Sequence, residues 1–257
     1  MLLLLKLLVA PALVGAVTLA VRRWGPAVGG WLSGMPVVAG PVLVFLAIEQ
    51  GPAFGAQAAH ATLTGLIGTV AFTVVYARTS VRLRWHACLL VGWVAFGATA
   101  SVLYLLEPPP FVSLLGLFAA SLLGRRALPG SEPRVAGVTG PRGDLPLRLV
   151  ATATLVLVLT GVADRLGPQV SGLLNAFPVL STIVTAFTHA QHGSGPTVAF
   201  VSGFVRGIIG FGSFSFAFAL TLVPFGLAWA LVYALVAQVV VSGLLMPSSP
   251  RSTARIA

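Results

Sequence analysis

Two stretches decide how this chain is read: SGMPVVAGPVLVFLAIEQG at residues 33–51 and NAFPVLSTIVTAFTHAQHG at residues 175–193. In each, a small polar residue stands shortly before a proline set inside an apolar run. Each closes on polar residues and a glycine. A proline inside a helix removes a backbone donor and clashes with the preceding turn, so both runs predict helices broken at matching places.

The surroundings of these runs are apolar throughout. Of 257 residues, 57% are hydrophobic and 8% are charged, and the mean hydropathy is +1.01. Soluble domains carry about 25% charged residues, so the composition predicts an all-α integral membrane protein. The single Cys88 excludes an intramolecular disulfide. A net charge of +10 could suggest nucleic acid. In a membrane chain, arginines gathered in loops are topology signals instead, and no nucleic-acid partner is expected.

Hydropathy marks nine candidate spans: Leu2–Val21, Val28–Ile48, Ala56–Tyr76, Trp85–Leu105, Phe111–Leu123, Leu147–Ala163, Val170–Thr188, Thr197–Leu222 and Val223–Met246. A crossing helix needs about 20 residues. The fifth span, behind Pro108-Pro109-Pro110, is short, and the last two abut at Pro224. The polar segment from Gly124 to Pro146 reads as a flexible connection. The organisation expected is a first membrane repeat (1–105), a linker helix with a basic loop (106–146), and a second repeat with a short tail (147–257).

Sliding the chain by 142 residues aligns Leu5–Ala77 with Leu147–Ala219 without a gap, with 21 identities. Gly25-Pro26 meets Gly167-Pro168, Pro36-Val37 meets Pro178-Val179, Gly51 meets Gly193, and Gly65 and Gly68 meet Gly207 and Gly210. Matched glycines and prolines point to duplication. The opening apolar run, whose basic pair follows rather than precedes it, is expected to be a retained helix and not a signal peptide.

With the N-terminus outside and nine spans, Arg22, Arg23, Arg78, Arg82, Arg84, Arg125, Arg126, Arg134, Arg142, Arg148, Arg251 and Arg255 fall inside, and only Lys6 and Arg165 fall outside. This is a strong positive-inside bias. Five spans precede the second unit, so the two four-helix repeats are predicted to lie inverted, joined by the linker helix. Secondary transporters use this architecture and bind substrate near the midplane, where corresponding helices are interrupted.

The breaks therefore supply the candidate substrate residues. Carbonyls freed by Pro36 and Pro178 cannot face lipid and must face protein or a wet cavity. Ser33 and Asn175 are matched polar neighbours of the breaks, and Ser181 and Thr185 line the second broken helix. The plainer alternative is two structural kinks whose hydroxyls bond back to their own helices. Arg206 stands ten residues into the eighth span, where a cation costs roughly 2.5–3.5 kcal/mol. No Asp or Glu lies inside any span, so Arg206 would meet carbonyls, a polar cavity or an incoming anion, unless it snorkels to the interface. His60, His189, His192 and Glu49 are candidates for coupling, because histidine titrates near neutrality. Helix capping is the competing role. His189 and His192 alone make a weak metal pair, and no metal or cofactor is expected. The chain has no Walker loop, no GxSxG elbow, no HExxH and no paired interior carboxylates, which argues against an enzyme.

Each half resembles the small GlpM-type bacterial inner-membrane proteins. Leu5-Lys6-Leu7 and Leu147-Arg148-Leu149 fit the opening of that unit, and Phe177-Pro178 with His189 and Gly193 fits its second helix. The first half departs, with Met35 for the phenylalanine and Ala47 at the place of His189. The resemblance implies a tandem-duplicated relative in the bacterial plasma membrane and an envelope context. Two functions are open: a permease for a small polar solute, anions included, or an accessory membrane subunit supporting envelope or polysaccharide assembly, with an envelope-biosynthesis partner or a second copy of itself.

Overall fold

The computed structural model describes residues 2–36, 39–130, 144–163, 172–173 and 175–246. The loop arginines Arg134 and Arg142, Arg165, the start of the seventh span at Val170, and the tail with Arg251 and Arg255 lie outside the described residues.

The described residues are helical, without a strand. The helices are α1 (Leu2–Trp24), α2 (Pro26–Ser33), α3 (Ala39–Gln50), α4 (Pro52–Thr79), α5 (Trp85–Leu106), α6 (Pro110–Ala127), α7 (Asp144–Ala163), α8 (Val179–His192) and α9 (Ser194–Leu244). Three of them, α4, α5 and α9, are long and apolar enough to cross a membrane. Large apolar side chains such as Leu105, Leu115, Val94 and Val239 are exposed on the outer helices. Such a surface suits lipid, and with the three long apolar helices it is consistent with a membrane protein.

Several expected boundaries move, each for a local reason. The second span is not one helix: it divides into α2 and α3 around Pro36. The seventh also divides, with a turn at 176–177 before α8 begins behind Pro178. The fifth grows from 13 residues to the 18 of α6. Pro110 opens it at the first helical position, where a missing N–H costs nothing. Arg125 and Arg126 continue it, because cations suit a helix C-terminus. The last two spans do not part at Pro224: helical structure runs on to Gly226, whose φ of 76° and ψ of 172° turn the chain back. Only glycine adopts that backbone freely. Gly51 and Gly193, matched by the repeat, likewise take positive φ of 95° and 77° between α3 and α4 and between α8 and α9.

At the centre, α4 packs along the outgoing half of α9 (194–225), and α2 lies across the same half. Leu63, Leu66 and Val70 of α4 share a buried cluster with Val201, Val205 and Ile208 of α9. The returning half of α9 (227–244) folds back so that Ala230 and Ala234 meet the region of Phe214 and Phe218. In lipid, helices associate by close packing rather than by hydrophobic transfer, so glycine sets how near the axes come.

These close approaches recur in the two halves. A Cβ on Gly30 of α2 would strike the Phe200 carbonyl and lie against Phe204; a Cβ on Gly172 would strike the Ala58 carbonyl and lie against Thr62. A Cβ on Gly207 would meet Trp31, and one on Gly65 would meet Leu173. Each pair becomes the other when 142 is added to one partner and subtracted from its neighbour. The short segment before each break thus lies on the long helix of the opposite half.

Candidate functional site

The two breaks meet at this crossing. The Asn175 side-chain amide donates to the Ala39 carbonyl at the start of α3, 3.4 Å away, and to the Thr62 hydroxyl at 3.3 Å. Thr62 in turn donates to the Gly172 carbonyl at 3.1 Å, while sharing its proton with the Ala58 carbonyl at 2.8 Å. Two turns further along α4, the Thr69 hydroxyl donates to the Ala176 carbonyl. Hydroxyls of α4 thus reach the backbone carbonyls on either side of Asn175, that of Gly172 in addition to its own helical donor, the Ala176 N–H, as an apolar surrounding favours. Thr62 and Thr69 escaped the sequence reading. Their only signal was to be threonines on a helix opposite the second break.

The remaining hydroxyls bond locally. Ser33 donates to Gly29 at 2.8 Å, Ser181 to Pro178 at 3.2 Å, and Thr185 to the Ser181 carbonyl. All three are buried. Their protons are committed, so what they offer a solute is oxygen lone pairs. Around Pro178, Phe177 packs edge-on to Phe96 at 5.2 Å, and the Trp93 indole donates to Thr182 at 3.3 Å. Pro36 is also buried and lies near Gly40. Of the expected residues, Asn175 is the one whose side chain reaches across to the other break, through the Ala39 carbonyl, with Thr62 beside it; Ser33, Ser181 and Thr185 bond within their own helices.

The other candidates stand at the ends of the bundle. One end is basic. Asp144, whose side chain is 1% exposed, pairs with Arg22 at 3.1 Å and with Arg148 at 2.9 Å, and Gln191 donates to it. Arg148 also stacks 4.9 Å over the Phe187 ring and donates to the Gln191 carbonyl oxygen at 3.3 Å. Burial works to raise the Asp144 pKa, but hydrogen bonds from Gln191, Arg148 and Arg22, with the charge of Arg148, outweigh it and hold the carboxyl below its ordinary range. His192 stands close by with a buried Nε2 that has no partner. Burial lowers its pKa, and Arg148 and Arg22 lower it further against the pull of Asp144. His189 sits 3.3 Å from the Tyr76 hydroxyl; burial lowers its pKa despite a hydrogen bond to the Ser80 backbone. At the same end, Arg78 of α4 donates to the Ala127 carbonyl at the close of α6, 3.2 Å away.

His60 occupies the far end, where its Nε2 meets the Pro108 carbonyl at 2.9 Å beside Ser113. Ser113 also bonds Thr64 at 3.0 Å. Glu49 is exposed at the close of α3. None of His60, His189, His192 and Glu49 reaches the junction of the breaks. Arg206 does not reach it either: α9 touches α2 with Phe200, Gly203, Phe204 and Gly207, on a different face. Among the described residues, no group of three histidine, cysteine or acidic side chains could hold a metal ion.

No family model, no curated protein and no solved structure matches this chain.

Proposed function

We propose that this chain is a secondary transporter or permease of the bacterial plasma membrane, built as two inverted four-helix repeats around α6, with nine spans and a cytoplasmic C-terminus. The observation that carries the reading is the exchanged contact pattern: Gly30 on Phe200 and Phe204 is answered by Gly172 on Ala58 and Thr62. Such self-complementary exchange is the mark of a two-fold relation between equivalent parts. Inversion is supported by α1 and its counterpart α7, because the end of α1 at Arg22 lies beside the start of α7 at Asp144. Nine spans are supported by α6, which follows α4 from the Thr64–Ser113 contact to the Arg78–Ala127 contact. Its 18 residues reach about 27 Å at 1.5 Å per residue. Arg22, Arg78, Arg125 and Arg148, all assigned inside by the charge count, gather at one end of the bundle. The GlpM-like openings fit a fused pair of units that elsewhere would assemble antiparallel.

The solute we infer is small and polar, and it donates hydrogen bonds, because the buried hydroxyls of Ser33, Ser181 and Thr185 have spent their protons on their own helices. An anionic preference loses its support at the junction, since Arg206 lies elsewhere. Alternating access would expose the two breaks in turn, one repeat rocking against the other.

The test needs no knowledge of the solute. In a Cys88→Ala background, single cysteines replace Ser33 and Ser181, and a membrane-impermeant thiol reagent is applied from each side of oriented vesicles. A permease makes both positions reactive although both are buried in this structure. If both stay inert from both sides while a cysteine at exposed Glu49 reacts, the accessory-subunit reading takes over. Reporter tags between Gly124 and Pro146, after His192 and at the C-terminus should all report the cytoplasm. A first tag reported outside would mean eight spans and a parallel repeat.

A further inference from the structure

The second broken helix carries polar side chains along one face. In α8, Ser181, Thr185, Thr188 and His192 follow at intervals of four, three and four residues, a spacing that stacks them in a single stripe. The stripe begins within a turn of Pro178 and ends in the last turn of the helix. Ser181, Thr185 and Thr188 are buried, and the His192 Nε2 is buried with no partner among the described residues. Neighbours hold both flanks. On one, Thr182 meets Trp93 of α5 and His189 meets Tyr76 of α4; on the other, Phe187 and Gln191 meet Arg148 of α7. The stripe lies between these flanks and faces protein rather than lipid. The matched positions of the first half are Ala39, Leu43, Leu46 and Gln50, so this polar stripe belongs to one half alone.

Where the stripe ends, the two halves of the chain are tied by charge. Gln191, next to His192, donates to Asp144 of α7, and Asp144 pairs with Arg148 at 2.9 Å and with Arg22 at 3.1 Å. Asp144, Arg148 and Gln191 belong to the second half, whereas Arg22 stands near the end of α1 in the first. The Asp144 and Arg148 side chains are buried, and Arg22 is the partly exposed member on the water side. The sequence does not repeat this tie, because the position matched to Asp144 is Leu2. The tie is therefore no by-product of the duplication.

We propose that the stripe of α8, with Thr188 and His192 added to Ser181 and Thr185, is the solute path from the second break to the basic end, and that the Arg22–Asp144 pair is its gate, shut in this structure. The inference rests on the permease reading above. Rocking of one repeat against the other parts the end of α1 from the start of α7, and water then reaches Thr188 ahead of Ser181. Asp144 keeps Arg148 and Gln191 as this happens, since all three lie on α7 and α8. No buried charge is stranded. Only Arg22 lets go, and an ion pair with one arm in water is cheap to break, as a gate requires.

The experiment follows Thr188→Cys of the full chain, in a Cys88→Ala background and in oriented vesicles, with a membrane-impermeant thiol reagent. Arg82→Cys, in the exposed turn after α4, reports which side carries the basic end and how fast the reagent attacks an open thiol. From that side Thr188→Cys should react slowly. Adding Arg22→Gln should speed it about threefold, the weight of one partly exposed ion pair, and Arg22→Lys should restore the slow rate. The rate from the opposite side should not rise. The melting midpoint with Arg22→Gln should stay within about 4 °C of the parent, which separates gating from general loosening. Should Arg22→Gln not fold, the parent is compared at about 0.05 M and 1 M sodium chloride, which screens the exposed arm, with Arg82→Cys correcting for the reagent. An unchanged rate, or an equal rise from both sides, overturns the gate. Ser33→Cys and Ser181→Cys separate the two failures. If they react while Arg22→Gln and salt change nothing at Thr188→Cys, the gate falls and the permease stands. If they are inert from both sides, the permease reading falls and the gate with it.

Discussion

Replacing Asp144 by asparagine removes one charge from a network of opposite charges at the basic end. The carboxylate is 1% exposed and the Arg148 side chain 5% exposed, while Arg22 is 32% exposed. Loss of the carboxylate leaves Arg148 buried without a counter-ion, a defect worth about 3–5 kcal/mol. The Arg22 arm is partly in water and adds little, so the lower figure, about 3 kcal/mol, is expected. For a chain of this size, each kcal/mol moves the midpoint by about 2–4 °C, so Asp144→Asn should unfold roughly 6–12 °C earlier. Cys88 is buried at 0% exposure and is the one thiol in the sequence, so a thiol-reactive dye reads unfolding directly on heating. The double replacement Asp144→Leu with Arg148→Met removes both charges and should recover most of the loss. The pH dependence has a fixed sign. A depressed folded pKa contributes stability that is present above the unfolded carboxyl value of about 3.9 and is lost as pH falls through the folded value. The gap between wild type and Asp144→Asn should therefore be constant near neutrality and close only below about pH 4. An Asp144→Asn protein that melts with the wild type, or a double variant as unstable as the single one, would refute the reasoning.

Three further outcomes are expected. Gly30→Ala, which forces a Cβ onto the Phe200 carbonyl, should destabilise by about 1–3 kcal/mol in the same dye assay, whereas Gly97→Ala, with open space around it, should be neutral or slightly stabilising. Thr62→Val takes from the Gly172 carbonyl its second hydrogen bond, the Ala176 N–H remaining, and from the Asn175 amide one acceptor, so it should cost about 1 kcal/mol, against almost nothing for Thr154→Val, whose exposed hydroxyl serves only its own helix. His189 and His192 have lowered pKa values, so both should be neutral at pH 7 and their imidazole NMR signals should titrate below the ordinary value of about 6.5. Stability tied to them should be present above that value and decline as pH falls through it.

How much of this was legible depended on whether a signal was local. The breaks at Pro36 and Pro178 could be read directly, because proline acts on the turn that contains it. The extent of α6 could not, since hydropathy ends where Arg125 begins while the helix does not. Gly226 was hidden behind Pro224: a proline can stand near the end of a helix, but only the glycine's positive φ turns the chain. The candidate site divided in the same way. Ser33, Asn175, Ser181 and Thr185 were found by their nearness to a proline. Thr62 and Thr69 were missed, because they serve a break more than 100 residues away.

The chain's residues alone determined a helical membrane protein, a duplicated pattern and two interrupted helices, since each follows from composition, periodicity or a rigid ring in the backbone. Tertiary structure alone decided which charges meet and which way each polar group faces. Asp144 joins Arg22 across 122 residues, and Arg206 stands on a different face of α9 from the one that meets α2. The physical reason is that a helix offers every direction to its side chains equally. Only the neighbour packed against a given face makes that face protein, water or lipid.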